Sequence, residues 1–71
     1  MNKTAITALN NAIAIAATLG GPHTGYRLAL KVNTIADELD RARELACGTE
    51  AAAIVARANK LEDQLDAALA R

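Results

Sequence analysis

Apolar residues recur along this chain at spacings of three and four in three separate runs, the pattern of amphipathic helices rather than strands. Helix 1 is predicted over about 4–19. At 100° per residue Ile6, Leu9, Ile13, Ile15 and Leu19, with Ala5, Ala8, Ala12 and Ala16 between them, fill an arc of roughly 200°. That is wider than the stripe of an ordinary surface helix and leaves room for two helical neighbours. Lys3, Thr4, Thr7, Asn10, Asn11, Ala14 and Thr18 occupy the rest of the circumference.

Helix 2, over about 25–46, carries Leu28, Val32, Ile35, Leu39, Ala42 and Ala46 at alternating spacings of four and three, a narrow heptad seam. Asp37, Glu38, Asp40, Arg41 and Glu44 lie on its other side, with Asp37 and Arg41 ordered for an i,i+4 ion pair. Tyr26 and Leu30, one turn apart, fall outside the seam. Helix 3, over about 50–70, repeats the pattern with Ile54, Ala58, Leu61, Leu65 and Ala68 inward and Arg57, Lys60, Asp63, Gln64 and Arg71 outward. Two breaks separate the runs. Gly20-Gly21-Pro22-His23-Thr24-Gly25 supplies a glycine stop followed by a proline, and in Cys47-Gly48-Thr49 the glycine ends one helix while Thr49 is placed to cap the next. Connections this short imply antiparallel neighbours. The expected fold is an all-α antiparallel three-helix bundle, one domain over 1–71, self-associating through helix 1.

Composition makes that core thin. Of 71 residues 52% are apolar, but 18 of these are alanine and the only aromatic residue is Tyr26, so each apolar residue removes little area from water. Domains of this size usually need a disulfide, a metal or a partner to become robust. With Cys47 the single cysteine there is no internal disulfide, and a thiolate-rich zinc site lacks its ligands. Oligomerisation or docking on something larger is left.

Formal charge sums to zero, so long-range attraction to nucleic acid or to an anionic membrane is not built in. The apolar run from Ala5 to Leu19 is too short and too polar to span a bilayer, and Asn10 and Asn11 interrupt it as a secretory leader, so a cytoplasmic location is expected. The distribution of charge says more than its sum. Between Lys3 and Arg27 there is no charged side chain, and the first acidic residue is Asp37. Thr4, Thr7, Asn10, Asn11 and Thr18 are poorer helix formers than Glu or Lys and form no ion pairs, which suits a face covered by another protein. Tyr26 and Leu30 are its expected apolar anchors.

Candidate chemistry is sparse. The GGPHTG loop lacks the Gly-Lys-Ser/Thr ending of a phosphate loop, and His23, the one histidine, has no oriented partner nearby in sequence. Cys47 reads as a small apolar filler at a helix end, and Asp37, Glu38 and Asp40 alternate with Arg41 and Arg43 as a solvated helix face does. No catalytic residue, metal ligand or cofactor is expected.

The opening Lys3, Thr7-Ala8-Leu9-Asn10 and Ala12, with Ala36-Asp37-Glu38-Leu39 and Arg41 further on, resembles the Rop family of plasmid RNA-binding proteins. The resemblance implies an antiparallel helical-hairpin dimer whose first helix binds paired RNA loops through lysine, asparagine and an aromatic residue. Lys3 and Asn10 match. The aromatic position is Ala14, the connecting loop differs and a third helix follows. Two functions are therefore weighed. The first is a non-enzymatic adaptor or inhibitor, with the profile of small phage and mobile-element proteins, that docks on a larger protein or on itself through Thr4, Thr7, Asn10, Asn11, Thr18, Tyr26 and Leu30. The alternative is a Rop-like RNA regulator using Lys3, Asn10, Arg27 and Lys31.

Overall fold

Alanine at the centre of a stripe of larger aliphatic side chains lets helices approach closely, and the core is built on that spacing. A computed structural model describes residues 2–19 and 25–69. These form α1 (Lys3–Ala16), α2 (Gly25–Leu45) and α3 (Ala51–Leu69), with a single 3-10 turn at Gly48–Glu50 ahead of α3 and no strand among the described residues. The arrangement is compact and elongated, 39 × 19 × 15 Å with a radius of gyration of 12.4 Å.

Ala5, Ala8, Leu9 and Ala12 of α1 meet Ile35, Leu39 and Ala42 of α2 and Ile54, Ala58 and Leu65 of α3. Half of these buried residues are alanine, and the largest side chains wholly removed from water are Ile35 and Leu39. The heptad seams of α2 and α3 therefore face the core. Leu28 and Ala68 are the exceptions. Leu28 is half-buried and outside the core cluster and its packed flank. Ala68 is exposed, and Ile6, placed by its periodicity in the apolar arc of α1, is 43% exposed. Both follow from unequal packing: α1 lies against α2 along most of its length and touches α3 least.

Polar bonds tie the elements together at several levels. Asn11 Nδ2 donates to Glu38 Oε2 at 3.4 Å, and Lys31 Nζ donates to Thr18 Oγ1 at 2.8 Å, linking α1 to α2. Arg43 of α2 reaches Asp40 on its own helix and Glu62 of α3, the latter at 2.8 Å, and its Nη1 donates to Asn59 Oδ1 at 3.0 Å. The bonds to Asp40 and then Glu62 push the Arg43 guanidinium above its already high range, against slight desolvation. These two are the ion pairs among the described residues, so the expected Asp37–Arg41 pair is not formed.

The helix ends depart from expectation in two places. The α-helical part of α1 stops at Ala16 rather than Leu19. Thr18 Oγ1 donates to the Ile15 carbonyl at 2.7 Å while the Thr18 and Leu19 N–H groups bond three residues back, a tightening of the last turn around a β-branched hydroxyl residue. Thr49 does not cap α3. It sits inside the 3-10 turn, which follows extended Cys47 and begins at Gly48 with φ +70°, the left-handed conformation glycine adopts without strain. The loop signal at 20–24, His23 included, and the predicted end of helix 3 at residue 70 lie outside the described residues.

Candidate functional site

Thr4, Thr7, Asn11 and Ala14 along α1, and Thr18 in the turn after it, follow one another at spacings of three and four, so they form one stripe on the outer flank beside α2. All five are exposed. From Thr4 to Thr18 the stripe runs about 21 Å at 1.5 Å per residue. No charged residue interrupts it, and its neighbours on α2 include Lys31 and Glu38, which bond to Thr18 and Asn11 respectively.

The structure brings some of the expected contact residues together and separates others. Thr18 and Leu30 share the wall of a shallow dip of ≈ 430 Å³, with Ala14 and Ile15 of α1 and Lys31 and Thr34 of α2 around it. Thr34 is turned to its own helix, its hydroxyl donating to the Leu30 carbonyl at 2.9 Å. Leu30 is 48% exposed, and Tyr26, one turn before it, is 77% exposed. Thr4 and Thr7 stand further along the stripe, toward the end where Asn2 meets the α2–α3 turn. Asn10 belongs to a different surface. It lines a dip of ≈ 230 Å³ between α1 and α3, beside Ile6, Glu50, Ala53 and Arg57.

The residues of the RNA reading fall into two groups: Lys3 and Asn10, seven residues apart, share one side of α1, while Arg27 and Lys31 lie one turn apart near the start of α2, where Lys31 bonds to Thr18.

Two features have no counterpart in the sequence reading. The first is Asn2, 7% exposed, which sits where an N-cap would be but makes no side-chain cap. Its Oδ1 accepts from the Cys47 N–H at 2.8 Å, its Nδ2 donates to the Cys47 carbonyl at 3.0 Å and to Glu50 Oε1 at 3.3 Å, and the Cys47 Sγ lies 3.4 Å from Oδ1. An Asn ahead of a helix suggests capping, and no local pattern points to a partner 45 positions away. The second is a cavity of ≈ 310 Å³ where α1, α2 and α3 meet, lined by Ala12, Ala16 and Leu19, Ile35, and Leu61 and Leu65 among others.

What the stripe and its flanking dip offer is apolar contact and hydrogen bonding. Among the described residues no three His, Cys, Asp or Glu converge on a metal position, and no helix is long and apolar enough to cross a membrane. No protein-family model, no curated protein and no solved structure matches this chain.

Proposed function

We propose that this protein is a small non-enzymatic docking module, an adaptor or inhibitor that works in the cytoplasm by laying the charge-free face of α1, with Leu30 and Tyr26 beside it, on another protein or on a second copy of itself. The observation that carries the reading is that, among the described residues, Thr4, Thr7, Asn11, Ala14 and Thr18 all stay exposed, with only Asn11 and Thr18 bonded across to α2. A solvated helix face is ordinarily charged, and charge depletion is the compositional sign of an interface centre. Tyr26 and Leu30 offer the large apolar side chains that interface centres use.

We read the helices as an antiparallel bundle in chain order. The cross-links from 2 to 47, from 11 to 38 and from 18 to 31 support that course, in which each step forward along α1 is a step back along α2.

The double substitution Thr7→Glu with Asn11→Lys puts one charge of each sign at the middle of the stripe, keeps net charge constant, adds two good helix formers and turns a cation toward Glu38. The folded chain should retain its circular dichroism and thermal midpoint but lose oligomer or captured partner in light scattering and affinity pull-down. Unchanged assembly and capture would refute the assignment. Binding that falls steeply with added salt would favour the RNA alternative.

A further inference from the structure

We draw no further inference here: the strongest candidate, the apolar cavity of ≈ 310 Å³ where α1, α2 and α3 meet over Ile35, has no charged residue in its lining to select an occupant, and nothing in the structure shows what covers it.

Discussion

Asn2 fixes the start of α1 by pairing with both the N–H and the carbonyl of Cys47, so a single amide satisfies two backbone groups in the turn between α2 and α3. Truncation leaves those groups of exposed Cys47 to water and removes two part-buried bonds. Asn2→Ala is therefore expected to cost about 1–2 kcal/mol, measured as a lower urea midpoint at unchanged slope. A loss under about 0.5 kcal/mol would mean that the clamp contributes little beyond a surface contact. This role was not legible in the sequence, because it depends on tertiary placement of a residue that local rules assign to a cap. Tyr26 and Leu30 are the opposite case: one period of 3.6 residues puts them off the heptad seam of α2, and they are exposed in the structure.

The helices themselves were legible nearly to their ends. Ile35, Leu39 and Ala42 of α2 and Ile54, Ala58 and Leu65 of α3 are buried as their spacing requires, since a heptad seam leaves one face to hide. The ends were less so, because side-chain hydroxyls compete there with the backbone ladder. Thr18 bonds back to Ile15 and tightens the last turn of α1, and Thr49 enters the 3-10 turn instead of capping. Gly48 gives a clean test at this scale. With φ at +70° and nothing within 4 Å of the position a Cβ would occupy, the cost of Gly48→Ala comes from backbone conformation alone. It should be about 1–2 kcal/mol, read from chemical denaturation, with Gly48→Asn less costly because asparagine tolerates the left-handed region. Equal stability of the alanine variant and the parent would show that the turn relaxes freely.

At the scale of the whole molecule, the class of fold and the uncharged face of α1 followed from pattern and charge placement, whereas the cavity over Ile35 did not. Periodicity gave α1 an arc wide enough for two neighbours, but it carries no information on how closely each neighbour packs. The cavity with Ala68 on its rim, and the separate dip that Ile6 lines, are properties of the assembled helices.

Central to the account is that another polypeptide shields the Thr/Asn stripe. The most direct measurement is site-specific photo-cross-linking in the producing cell, with the reactive group in place of Thr7 on the stripe and, as a control, in place of Asp63 on the outer side of α3. The account expects a discrete adduct from position 7, either of twice the chain's mass or with one larger protein, and none from position 63. No adduct at position 7, or the same diffuse products from both positions, would contradict it.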